Sequence, residues 1–231
     1  DLTYQDISNT SALVAGTSTF ANQAALPGVP VELNAIASQW TSKVLQGNAF
    51  NRDQLQGERQ QNPYGIIHLA THGEFNVGDL SKSYLYLHND RLSLDQLRTL
   101  GLNRPPVELI TLSACQTALG NRSAELGFAG FAVLAGAKTS VASLWNVSDE
   151  AAAGLMIEFY RQLQDNQPII KAEALRQAQL AMLQGDITIE GDQLKGRSAS
   201  QKLPIELVID GQQQFSHPYY WAAFSLVGSP W

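Results

Sequence analysis

Cysteine is nearly absent: the 231 residues contain one, Cys115. No internal disulfide can form, and a zinc site built from several thiolates is excluded. Positive charge is also scarce, with 15 Lys and Arg against 21 Asp and Glu and a net charge of −6. No basic block follows a phosphate backbone, so direct nucleic-acid binding is not expected. Long hydrophobic runs are missing too. The most apolar stretch, 127–137, is about half the roughly 20 residues that span a bilayer. No charged-then-apolar leader opens the chain, so a cytoplasmic protein without membrane contact is expected. The first residue is Asp1 and not Met, which leads to the expectation of a piece of a longer polypeptide. What remains is ordinary globular composition, 44% hydrophobic and 16% charged, enough for one domain over 1–231 with a sizeable core.

Several short runs read as buried strands: Ala12–Gly16, Ile66–Ala70, Val107–Leu112 and Thr139–Trp145. The second follows Pro63 and Gly65, and the third follows Pro105-Pro106, as strand starts do. Tyr84–Leu94 alternates across Asn89-Asp90 and reads as a hairpin. Apolar residues at helical spacing predict helices over 31–45, 150–163 and 170–183, with a close-packed buried helix over 124–136. Tyr219–Val227 reads as a final strand. Residues 185–214 mix Gly, Gln and charge and read as a long surface excursion. Its basic residues Lys195, Arg197 and Lys202 make it a candidate for self-cleavage. Continuously apolar strands alternating with helices give the fold class: α/β, a mostly parallel central sheet with helices on both faces.

In such sheets ligands bind at the carboxyl ends of the strands. After IIHLA come Thr71, His72 and Gly73; after VELITL come Ser113, Ala114, Cys115 and Gln116; after TSVASLW comes Asn146-Val147-Ser148-Asp149. If the first two strands are neighbours, about 4.8 Å apart, His72 and Cys115 face each other across a short gap. A thiol within reach of an imidazole is the arrangement that nucleophilic thiol catalysis needs. The bland reading of a lone cysteine is a small, inert core residue; its place after a buried strand, opposite a similarly placed histidine, argues against that. His68 and His72 are four apart, but on a strand that separates them by about 13 Å. A shared metal is therefore not expected, and His68, His88 and His217 read as structural. The stretch GFAVLAGAKT lacks the Gly-Lys-Ser/Thr adjacency of a phosphate loop, so nucleotide binding is rejected. No cofactor is called for.

The motifs HLATHGEF, TLSACQTALG, LAGAKTSVASLWNVSDEAAAGLM and HPYYWAAFSLVG strongly resemble the CHAT domain, a bacterial relative of the caspases and separases. The likeness runs from about Ala12 to Gly228. It implies a caspase-like fold and cysteine endopeptidase activity on protein substrates, with Cys115 as nucleophile and His72 as acid/base. His72 lies 43 residues before Cys115, close to the roughly fifty of caspases. The resemblance also assigns the Gly73 and Cys115 amides to the oxyanion hole, and it implies a helical-repeat (TPR-like) regulatory region in cis or in trans. The apolar filling of 116–138 leaves little room for a cleavable linker, so activation by that region is expected instead. A caspase-like interaction scaffold with an idle dyad is the alternative.

For the S1 pocket the candidates are Asp149, Ser113, Gln116 and Glu125. The stretch ending in Asp149 resembles the separase Trp-Asp-Val-Thr-Asp, whose last Asp receives an arginine, and a carboxylate there favours a basic P1 residue. Asp149 or Ser148 also suits the cap of the following helix, and Glu125 suits the first turn of its own helix. Many arginine-specific caspase relatives carry Asp two residues before the nucleophile; here that position is Ser113. Basic and apolar P1 residues both stay open.

Overall fold

The alternation of side chains along each central strand divides the molecule into two cores. The computed structural model describes residues 6–76, 79–113, 116–117, 127–164 and 170–231; of Leu80, Gln116 and Thr117 only the backbone is described. In chain order the strands are β1 (Ala12–Gly16), β2 (Ser42–Gln46), β3 (Ile66–Ala70), β4 (Gly73–Phe75), β5 (Tyr84–Tyr86), β6 (Arg91–Ser93), β7 (Leu109–Leu112), β8 (Gln116–Thr117), β9 (Thr139–Ser143), β10 (Thr188–Glu190), β11 (Gln193–Lys195), β12 (Ser200–Lys202), β13 (Gln212–Gln214) and β14 (Phe224–Gly228). The helices are α1 (Val29–Gln39), α2 (Arg52–Gln61), α3 (Leu94–Leu97), α4 (Gly127–Leu134), α5 (Asp149–Gln164) and α6 (Lys171–Leu183).

The central sheet has the order β14-β9-β7-β3-β1-β2. Every neighbouring pair is parallel except β14 with β9. Val14, Ile66 and Ala70 point into one core with Leu33, Ile36, Phe159 and Met182 from α1, α5 and α6. Leu13, Ile67, Leu69 and Ile110 point into the other with Leu55, Leu97, Phe128 and Ala132 from α2, α3 and α4. Helices on both faces bury β1, β3, β7 and β9 at every position, the polar His68, Thr111, Thr139, Ser140 and Ser143 included, as a parallel sheet covered on both sides requires. This is a caspase-like α/β fold.

Four expectations change. The helix over 31–45 divides: α1 ends at Gln39, Trp40 is extended, and Ser42–Gln46 pair with β1 as an edge strand. The helical spacing through Val44 is outweighed by backbone pairing to the sheet edge and by burial of Leu45. Of the helix expected over 124–136, only 127–134 is described, and it is not buried all round, because Leu134 is 69% exposed. Residues 185–214 are no open excursion. They build a second sheet, β12-β11-β10-β13, that buries Ile187, Ile189 and Leu194 in the α5 and α6 core. Lys195 and Lys202 lie in its strands, and Arg197 pairs with Asp186 at 2.7 Å. Finally, Tyr219 and Tyr220 form a turn before β14. The β5–β6 hairpin forms as expected, with Tyr86 opposite Arg91. No helix among the described residues is long and apolar enough to cross a membrane.

Candidate active site

β3 ends at Ala70, and within two residues the chain enters β4, which belongs to a third sheet of order β6-β5-β4-β8. His72 occupies the turn between the two sheets. Tyr86 N donates to His72 O at 2.9 Å, so these two residues form a hydrogen-bonded antiparallel pair. The next pair along, Gly73 with Leu85, is then of the non-bonded kind, and the Gly73 N–H turns away from β5 toward the β8 side. Space at Gly73 is tight: a Cβ would come 3.1 Å from Phe128 Cζ and 3.2 Å from Leu85 Cδ2, and these side chains would have to give by a few tenths of an ångström.

The two described residues nearest the nucleophile candidate are both anchored on the segment that carries His72. Ser113 N, just past β7, donates to Leu69 O at 3.0 Å. Gln116 opens β8 and stands in parallel register with Glu74. Cys115 and Glu125 lie outside the described residues, and of Gln116 only the backbone is placed. Ser113 is 1% exposed, and no described residue hydrogen-bonds its hydroxyl.

The His72 ring is held on three sides by elements distant in sequence. Its Nε2 lies 2.8 Å from Ala24 O. A carbonyl oxygen only accepts, so Nε2 carries the hydrogen and Nδ1 keeps the lone pair in the neutral ring. Phe20 packs against the imidazole at 4.7 Å and Tyr86 edges it at 6.4 Å. Burial pushes the His72 pKa below its ordinary value, partly opposed by the Ala24 carbonyl. The ring is thus a neutral base with its tautomer set by a backbone oxygen, an arrangement suited to taking a proton at Nδ1. Beside this wall a cavity of about 450 Å³ opens between Phe20–Gln23 and the β5–β6 hairpin, with Arg52, His88 and Arg91 in its lining.

Asp149 stands apart from this arrangement. It is the first residue of α5, where Ser148 Oγ accepts from Ala151 N, while the Asp149 carboxylate crosses to another helix and accepts the Gly28 N–H at the start of α1. Burial raises its pKa to about 7; nearby Glu32 and Glu150 add to this, and the Gly28 bond opposes it. The folded carboxyl thus keeps a proton that the unfolded chain loses near 3.8. Its stabilising contribution is complete at low pH and is lost as the pH rises to about 7. Asp149→Asn cannot ionise, so its melting temperature relative to wild type is expected to climb between pH 5 and pH 8. Thermal melts check this, and a difference indifferent to pH would contradict it.

His68 is fully buried on the α1 and α5 face, not beside His72. Its Nε2 lies 3.0 Å from Glu32 Oε1, an electrostatic contact more than an aligned hydrogen bond, and Tyr160 edges its ring at 5.3 Å. His88 Nδ1 is 3.5 Å from Thr17 Oγ1, and His217 accepts from Tyr219 N. Sequence reasoning passed over Ala24, because a backbone acceptor leaves no residue signature. It passed over Glu32 because an acid at a core position of a helix reads as surface.

No curated protein matches the chain. A family model does, over residues 1–229, and it is that of the CHAT domain. Together with the caspase-like sheet and the His72 edge, this match shows that the chain belongs to the CHAT domain family, a caspase-related, peptidase-like group.

Proposed function

We propose that this domain is a cysteine endopeptidase acting on protein substrates. The observation that carries the reading is the double anchoring of the β7–β8 connection: Ser113 is bonded to β3 and Gln116 is registered on β4, with His72 between those strands. Cys115 directly precedes Gln116 in the chain. In this reading the Cys115 thiol gives its proton to His72 Nδ1, and the thiolate attacks the scissile carbonyl carbon. The Gly73 and Cys115 amides receive the oxyanion. The protonated imidazole then donates to the leaving amine, and afterwards Nδ1 takes a proton from the water that hydrolyses the acyl-enzyme. The Ala24 carbonyl holds the ring through both transfers, in the place a carboxylate takes in a triad. A helical-repeat region, attached or supplied by a partner, regulates the site.

Asp149 as a free anion in the S1 pocket is not favoured, since its carboxylate already holds Gly28. Incubation with a peptide library and with small esters tests the reading. Cys115-dependent cleavage of internal peptide bonds is expected; cleavage of esters alone would overturn it in favour of small-molecule hydrolysis. Binding of peptides without cleavage would establish an idle-dyad scaffold.

A further inference from the structure

The exposed face of β4 carries a carboxylate poised beside His72 and unused by the chemistry above. Glu74 follows His72 by two residues, about 7 Å along a strand, and alternates outward between the buried Gly73 and Phe75. Its register partner is Gln116, the residue after Cys115. Tyr84 and Tyr86 both donate to one oxygen, Oε2, at 2.7 and 3.1 Å. Tyr86 is fixed in turn by Gln23 Nε2 at 2.8 Å. Two phenols on one oxygen aim the carboxylate and leave Oε1 without a partner among the described residues. Among the described residues no ion pair joins it to Arg91, whose guanidinium lies over the Tyr84 and Tyr86 rings, 4.4 and 5.2 Å from their centroids. The other acids weighed for such a role, or placed near the cavity, are committed. Asp149 holds Gly28, Glu32 faces His68 in the core, and Asp90 pairs with Arg52 at 3.0 Å.

We propose that Glu74 is a specificity-determining residue that receives a cationic substrate side chain, arginine or lysine, next to the scissile bond. The assignment rests on the peptidase reading and supplies the acid that Ser113 and Asp149 do not. A pre-aimed carboxylate, with one oxygen unpartnered among the described residues, makes a charge-assisted bond to a guanidinium or ammonium without reordering itself.

The test compares peptides that differ only in arginine or its neutral isostere citrulline, placed at P1 and then at P2, against wild type and Glu74→Gln. Wild type is expected to prefer arginine at one of these positions. In Glu74→Gln, kcat/KM for the arginine peptide falls about 10- to 100-fold, while that for the citrulline peptide stays within about twofold and serves as the folding control. An unchanged arginine-to-citrulline ratio in the variant, or equal loss on both peptides, would overturn the role of Glu74 and leave the peptidase standing. If wild type shows no Cys115-dependent turnover of any peptide, the peptidase reading itself falls, and the assignment with it.

Discussion

Cys115→Ala is expected to reduce peptide hydrolysis to background, and His72→Ala to lower kcat/KM by about 10³-fold or more. The size of the second effect follows from the geometry. With Nε2 committed to Ala24 O, Nδ1 is the nitrogen left to serve as base and acid in turn in the proposed mechanism. Burial holds His72 below its ordinary 6.5, so the base form persists into mildly acidic solution. The acid limb of kcat/KM is accordingly expected below pH 6.5, and in His72→Ala that limb disappears along with most of the rate. Steady-state kinetics over a pH series checks both. Activity in His72→Ala within tenfold of wild type would remove the imidazole from the reaction.

The largest effect on stability is expected at the Glu32–His68 contact. Both side chains are enclosed, at 1% and 0% exposure, between β3, α1 and α5. Glu32→Ala leaves the imidazole without its facing acid, and His68→Ala leaves a carboxylate in the core. Removing one partner of a buried pair costs about 3–5 kcal/mol, a drop of roughly 10 °C in melting temperature for a chain of this size. The Glu32→Ala/His68→Ala double variant leaves neither group uncompensated and is expected to lose less than the two single changes added together. Denaturant melts give the comparison. A loss under about 1 kcal/mol for either single change would show that the pair contributes little. The contact also bears on the candidate site: Glu32 helps to raise Asp149, and Asp149 holds Gly28 at the end of the segment that contributes Ala24.

What could be read in advance divides along physical lines. β3 and β7 are mostly apolar runs preceded by Pro63 and Gly65 and by Pro105-Pro106, and such strands announce themselves because both of their faces are buried. Their carboxyl ends then place His72, Gly73 and Ser113 on one edge without further information. Elements whose stability comes from partners were harder to see. Ser42–Gln46 is a strand because β1 offers it an edge, and its side chains alone do not say so. β10–β13 have three residues each and few apolar positions, so their pattern is too short to read. Asp149 was legible as a capping acid, but not the helix it would serve: it reaches α1 and not its own α5. Glu74 stood in the quoted motif HLATHGEF, yet its role depends on Tyr84 and Tyr86, and the pairing of β4 with β5 brings these phenols to it.

In the proposed mechanism His72 activates the Cys115 thiol. Its most direct test is the rate of Cys115 alkylation, followed by intact mass from pH 5 to pH 9, in wild type and in His72→Ala. Rapid labelling of wild type is expected at neutral pH, well below the ordinary thiol pKa of about 8.5, and slow labelling of the variant that rises only as the free thiol ionises. Slow labelling identical in the two proteins would contradict it.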